Sequence, residues 1–339
     1  MSPIAPVLER LSGEIAALTT GLGRPVDVAA LDITDRDGEL ALGPPGRISC
    51  NRACRLVRGA DGWIAVNLAR AEDQELVPAW LHGEGDDWDA IERCAARRTV
   101  ADLIGEAILL GLPAARVGEA ASNDFAPPRI CYAPPSAAAP RIRVFDLSVL
   151  WAGPLCGAIL AAVGADVTRV ENRRRPDRMG ETMPGLFSRL NGDKAPWSLD
   201  FGDPGDLKQL RDAVATADII VTNARPRVFP ALGLEPERVF ARNPRLVWIA
   251  VTGHGWRGAA GQRVGFGDDT AAAGGLVRWT DDGEPRFLGD ALSDPVTGLT
   301  AAIVGLRALD GVGGGELVDV SMAACAAAAA HKLRAEARG

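Results

Sequence analysis

The chain has 339 residues, 47% of them hydrophobic, and a formal net charge of −7 at neutral pH. That length suggests two domains, the acidic balance argues against a nucleic-acid-binding face, and no apolar run is long enough to span a bilayer. Glu9, Arg10 and Glu14 interrupt the first twenty residues in a helical pattern that does not resemble a signal peptide. The scattered cysteines, Cys50, Cys54, Cys94, Cys131, Cys156 and Cys325, read as free thiols of a reducing compartment, so a cytoplasmic protein is expected. Cys50-x-x-x-Cys54 has no nearby histidine and no second pair, and His82, His254 and His331 form no cluster, so no metal site is expected.

In chain order, residues 49–70 give two alternating strands around the Ala60-Asp61-Gly62 turn, a hairpin signal. Thr99 with Asp102 opens a helix as a capping box. Val100, Leu103, Ile104, Ala107 and Ile108 form its apolar face and Gly111 ends it. Residues 126–140 concentrate five prolines among small residues and read as an extended connector. Beyond it, the apolar run from Ile142 to Leu147 predicts a strand. A Gly153-Pro154 break starts a small-residue helix, with Pro154 at its first position, and that helix ends near Gly164. Val167 to Glu171 then reads as a second, parallel strand. The crevice at the strand ends, facing the helix N-terminus, suits an anionic ligand. VLWAGPLCG (149–157) lacks the GxGxxG spacing of a dinucleotide loop, because Trp151 and Gly153-Pro154 occupy its place. The Ala-rich, then charged tail over 325–339 reads as a fraying helix.

Six blocks follow in order: ADVTRVE (165–171), LNGDKAPWSLD (190–200), ADIIVTNARPRVFPALGL (217–234), NPRLVWIAVTGHG (243–255), DDTAAAGGL (268–276) and SDPVTGL (293–299). With the strand–AGP–helix before them, they resemble the family III CoA-transferases, also called the CaiB–BaiF family. Residues 49–70 and 98–117 resemble that family's small domain, which normally follows the nucleotide-like domain and here precedes it. The resemblance implies an α/β fold: a Rossmann-like parallel-sheet domain over 141–339 and a smaller α+β domain with an N-terminal helix over 1–125. Residues 126–140 would link them.

The resemblance implies that an aspartate carries the acyl group, and spacing before Thr297-Gly298 favours Asp294 over Asp290. Ser293 departs from the family's glycine there. Pattern alone would read Asp294 as a helix cap with Pro295 following. The CoA-binding positions carried over by motif are Trp151, Ala152, Asn172, Arg173, Leu199, Asp200, Asn223, Ala224, Arg225, Phe266, Gly267 and Asp268. Asn172 and Ala224 depart from the family's basic and aromatic residues. Ala273-Gly274-Gly275 is a candidate source of oxyanion donors. The racemase branch of the family uses a histidine where this chain has Gly267, so CoA transfer ranks above racemisation. Coenzyme A and acyl-CoA are then expected as substrates beside a carboxylic acid, with no resident cofactor, no metal, no nucleic acid or membrane partner, and a homodimeric assembly. A racemase-like isomerase and a non-catalytic acyl-CoA-binding subunit are the alternatives.

Overall fold

The near-continuous apolar runs of the second half pair into one largely parallel sheet, as strands buried on both faces do. The structure is a computed structural model that describes residues 2–134, 142–309 and 314–337; residues 135–140 of the expected connector and the last two of the tail lie outside the described residues. Strands β1 (Cys54–Gly59), β2 (Gly62–Asn67) and β3 (Ala114–Arg116) form a small antiparallel sheet. Of β4 (Arg129–Cys131), β5 (Arg143–Asp146), β6 (Asp166–Asn172), β7 (Ala195–Leu199), β8 (Ile219–Thr222), β9 (Val247–Thr252) and β12 (Glu316–Ser321), the large sheet has the order β4-β12-β9-β8-β5-β6-β7. All its pairings are parallel except that of β4, which runs antiparallel to β12. β10 (Val277–Trp279) and β11 (Pro285–Phe287) make a separate hairpin. The Pro-rich stretch is therefore more than a connector. Its extended backbone, pre-set by proline, adds an edge strand, where the absence of proline N–H groups costs nothing.

The local signals hold. Gly59 pairs with Gly62 across the expected hairpin turn. Thr99 accepts from the Asp102 N–H at 3.1 Å, and Gly111 closes the Val100–Leu110 helix at φ +77°. The Ala152–Ala162 helix starts two residues earlier than predicted, placing Pro154 third; the first four N–H groups of a helix have no internal partner, so the ring is tolerated there.

Two of the hydrophobic cores set the small and large sheets apart. One, including Val57, Ile64, Trp80, Ile91 and Leu103, belongs to the small sheet and its helices. The other, beneath one face of the large sheet, also contains Val7, Leu11 and Ile15. The Ala5–Gly21 helix, expected with the smaller domain, thus packs on the Ser293–Leu309 helix of the larger one. Its buried stripe matches that helix, which the local pattern could not show.

Candidate active site

Strand order across the large sheet reverses beside β5: β6 and β7 lie on one side, β8 and β9 on the other. The loops leaving β5 and β8 therefore diverge, and a crevice opens at their carboxyl ends, where ligands of open α/β sheets bind. Asn223, just past β8, clamps the other loop: it donates to the Val149 carbonyl at 2.7 Å and accepts from the Val149 N–H at 3.2 Å. Leu150 sits at φ +67°, an uncommon conformation for a branched side chain, and its N–H donates to Asp177 at 2.8 Å. Trp151 follows, buried, with its indole N–H on the Ile33 carbonyl at 2.8 Å. Beneath the loop, fully buried Lys194 bonds Asp146 and the Pro154 carbonyl, each at 2.8 Å, and so ties the helix start to the end of β5.

Asp294 is the second residue of the Ser293–Leu309 helix, which packs against the Ala152–Ala162 helix. Gly298 allows this close approach: a Cβ there would lie 2.8 Å from the Ala152 carbonyl oxygen. The Asp294 carboxylate consequently faces the backbone N–H of Ala152, which pulls its titration down from the positive end of the first crossover helix. Gly267 brings the next wall closer, since a Cβ at that position would meet Asp294 Oδ2 at 2.1 Å. Ser293, the departure from the family's glycine, bonds the Gly267 carbonyl at 2.9 Å and lies 2.6 Å from the Thr270 hydroxyl. It thus fastens the start of the Asp294 helix to the Gly267–Ala273 helix.

Three further carboxylates crowd this corner. Asp268 accepts from the Ala291 N–H at 2.8 Å and from Asn51 at 3.0 Å. Asp269 accepts from Asn67 at 3.0 Å and from the Phe266 N–H at 2.9 Å. Asp290 is paired with Arg36. Burial, then the neighbouring Asp290, pushes the Asp268 carboxyl up to about 6. Burial likewise pushes Asp269 to about 7, against its hydrogen bonds. Asp294 rises to about 7, chiefly through burial, with Arg36 pulling it down and Asp268 raising it. In each case loss of water disfavours the charged form.

A second group forms a basic rim. Burial and the facing charges of Arg227, Arg70 and Arg175 lower the Arg225 guanidinium from its ordinary value. Arg70 lies 5.3 Å over the Phe266 ring and pairs with Asp73. Among the described residues, no carboxylate lies within 4.0 Å of Arg175, Arg225 or Arg227. Such a cluster suits a polyanion, because guanidinium groups match phosphate oxygens in bidentate pairs.

The structure brings Trp151, Ala152, Gly267, Asp268 and Asp294 together, and sets Asn223, Ala224, Arg225 and Phe266 along the adjoining rim. The 172–200 positions make contacts of their own. Arg173 pairs with Asp206 at 2.9 Å, Asp200 with Arg174 at 2.8 Å, and Asn172 accepts from the Arg174 N–H at 3.2 Å. The Leu199 side chain is buried in the core between the sheet and its outer helices. One expectation is corrected. The Gly274 and Gly275 N–H groups bond the Thr270 and Ala272 carbonyls, at 3.0 and 2.9 Å, so neither is available as an oxyanion donor. Gly274 instead admits the Met322–Glu336 helix, as a Cβ there would lie 2.5 Å from the Ala327 nitrogen. Sequence reasoning missed Arg36, Asn51, Asn67 and Arg70, which reach the site from far away in the chain, and Arg175, next to the positions carried over at 172 and 173. Only Asn67 left a trace, as a polar end to the apolar strand GWIAVN.

Residues 141–336 match the family described as CoA-transferase family III. The chain is 31% identical over 193 residues to the succinyl-CoA–D-citramalate CoA-transferase of Chloroflexus aurantiacus, covering 53% of this chain and 48% of that one. It is 30% identical over 169 residues to the human succinyl-CoA:glutarate CoA-transferase, covering 47% and 39%. Among solved structures, a hypothetical protein from Mycobacterium tuberculosis superposes with a TM-score of 0.52 at 28% identity, over 60% of each chain. A CaiB/BaiF family protein from Brucella suis gives 0.50 at 28% identity, over 55% and 53%. The chain spans about half the length of the curated relatives it matches.

Proposed function

Because this chain belongs to CoA-transferase family III, we propose that it moves CoA from an acyl-CoA to a carboxylic acid, with the acyl group carried on Asp294. The observation that carries the reading is the seat of the Asp294 carboxylate, against the Ala152 N–H at the sheet's switch point and walled by Gly267. A carboxylate in this environment is a poorly solvated nucleophile, which favours attack over hydration. An Asp294 oxygen attacks the thioester carbonyl, the C–S bond breaks, and a mixed anhydride and CoA thiolate form. The thiolate then attacks the Asp294 carbonyl, releasing the first acid and leaving CoA on the enzyme as a thioester. The acceptor carboxylate repeats the two steps in reverse, and the new acyl-CoA leaves with Asp294 restored.

The rim formed by Arg70, Arg175, Arg225 and Arg227 holds the phosphates of CoA in this reading, and Phe266 and Trp151 wall the path of its pantetheine arm. The space a histidine would need at position 267 is taken by Asp294 itself, which favours transfer over racemisation. A homodimer in the cytoplasm completes the reading, supported by the family resemblance and the thiol content.

The test is covalent trapping. Incubated with a panel of acyl-CoAs, the protein gains the mass of an acyl group or of CoA on a peptide containing Asp294. D294N, isosteric and folded, forms no adduct and loses CoA transfer by about a thousandfold or more, as removal of a nucleophile does. An adduct that persists in D294N would overturn the reading.

A further inference from the structure

Three carboxylates, buried Asp268 and partly buried Asp290 and Asp294, converge from the Gly267–Ala273 helix, the loop after β11 and the start of the Ser293–Leu309 helix. The cation facing all three is Arg36, from a segment before the small sheet and outside the family-matched residues. Its Nη2 donates to Asp290 Oδ1 at 2.8 Å, its Nε donates to the other oxygen, and the two side chains are only 11% and 12% exposed. The guanidinium also lies 5.5 Å over the Trp151 ring, whose N–H is fixed by Ile33 of the same segment. Trp151 precedes Ala152, the residue whose N–H meets Asp294. The segment is anchored from below as well: Arg189 donates to the Asp32 carbonyl at 2.7 Å and bonds Glu39 at 3.2 Å. The Cys50 thiol also borders Asp290, Asp268 and Arg36, and burial keeps it neutral, its titration pushed up to about 11.

We propose that Arg36 is a positioning residue of the acyl-transfer site: forked onto Asp290 and stacked on Trp151, it offsets the crowded negative charge, favours the ionised form of Asp294 and keeps it aimed. This rests on the reading of Asp294 as the acyl carrier. Asp290 is the hinge of the device. It orients the guanidinium but its own charge raises Asp268 and Asp294, so the pair fixes geometry while the charge of Arg36 opposes the crowding.

The test reads Asp294 directly. The full chain is labelled with carboxyl-13C aspartate, the Asp294 resonance is assigned by its loss in D294N, and its titration is followed beside the pH profile of adduct formation with succinyl-CoA. Wild type titrates near 7. R36Q moves the midpoint up by about one pH unit, the size expected when a facing opposite charge is removed, and moves the acid limb of adduct formation with it. R36K restores both. D290N, which frees Arg36 of its partner charge, moves the midpoint down, and this variant decides the matter should R36Q fail to fold. An Asp294 midpoint unchanged in R36Q, or in D290N where R36Q cannot be made, would overturn the role of Arg36. Absence of any adduct on wild-type protein, with the titration shifted as expected, would instead count against Asp294 as acyl carrier.

Discussion

At Gly267 the backbone runs so close to Asp294 that a Cβ would lie 2.1 Å from Oδ2 and 2.8 Å from the Ala291 Cα. The second of these neighbours is backbone and cannot swing aside. In G267A either Asp294 leaves the Ala152 N–H or the loop carrying Ala291 shifts. The expected result is a loss of at least about tenfold in kcat/KM, as for the displacement of a reacting group by a fraction of an ångström, and about 1–3 kcal/mol in stability from overpacking. Steady-state kinetics and urea denaturation check the two effects. A variant that is fully active would show that Asp294 does not depend on this wall.

Two helices set the site by approaching each other more closely than ordinary side chains permit. Gly298 faces the first turn of the Ala152–Ala162 helix, and a Cβ there would lie 2.8 Å from the Ala152 carbonyl oxygen and 3.0 Å from Leu155 Cβ. G298A therefore pushes apart the elements that carry the nucleophile and its N–H donor. It is expected to cost about 1–3 kcal/mol and to lower kcat more than it raises KM, since the rim that would hold CoA is untouched. Equal losses in both parameters would argue against helix spacing as the cause. The family resemblance marked Gly298 only as half of the Thr297-Gly298 pair; that it is a packing glycine follows from the tertiary contact.

Over the molecule as a whole, the buried aspartates set how stability responds to pH. Asp268, Asp269 and Asp294 titrate at about 6, 7 and 7 in the folded chain, against an unfolded value of 3.8. Between pH 4 and 7 the folded protein keeps protons that the unfolded chain has lost, so these groups make stability fall as pH rises through that window. His254 opposes them: burial depresses it to about 3, so the folded state declines a proton that the unfolded histidine binds below 6.5. Three protons outweigh one. The carboxylates lowered by ion pairs or backbone N–H groups, Glu106, Asp200, Asp212 and Glu284, act at and below their unfolded values of 3.8 and 4.5, which touches only the acid end of the window. Thermal melting should therefore come at a higher temperature at pH 5 than at pH 7.5, with the difference reduced in D269N. A melting temperature that rises across this interval would show that the three aspartates do not hold their protons.

The same charge crowding marks where the chain was legible and where it was not. Periodicity, the Thr99 cap, the Gly111 stop and the strand–helix–strand run from 142 to 171 were local matters, fixed by backbone dihedrals and the spacing of apolar residues, and they could be read directly. The ordered motifs of 141–336 pointed to the family and to Asp294, because short blocks preserve the turns and helix starts that build a switch-point crevice. Arg36, Asn51, Asn67 and Arg70 carried no such mark: each is an ordinary polar residue until the small sheet and the first segment fold back over the Gly267–Ala273 and Ser293–Leu309 helices. The Gly-Gly pair at 274–275 shows the reverse, a motif whose role changed once its N–H groups were seen to be spent within the helix end. Local conformation is encoded over a few neighbours, whereas the burial and facing charge that tune a carboxylate come from residues hundreds of positions apart, and only the folded chain brings them together.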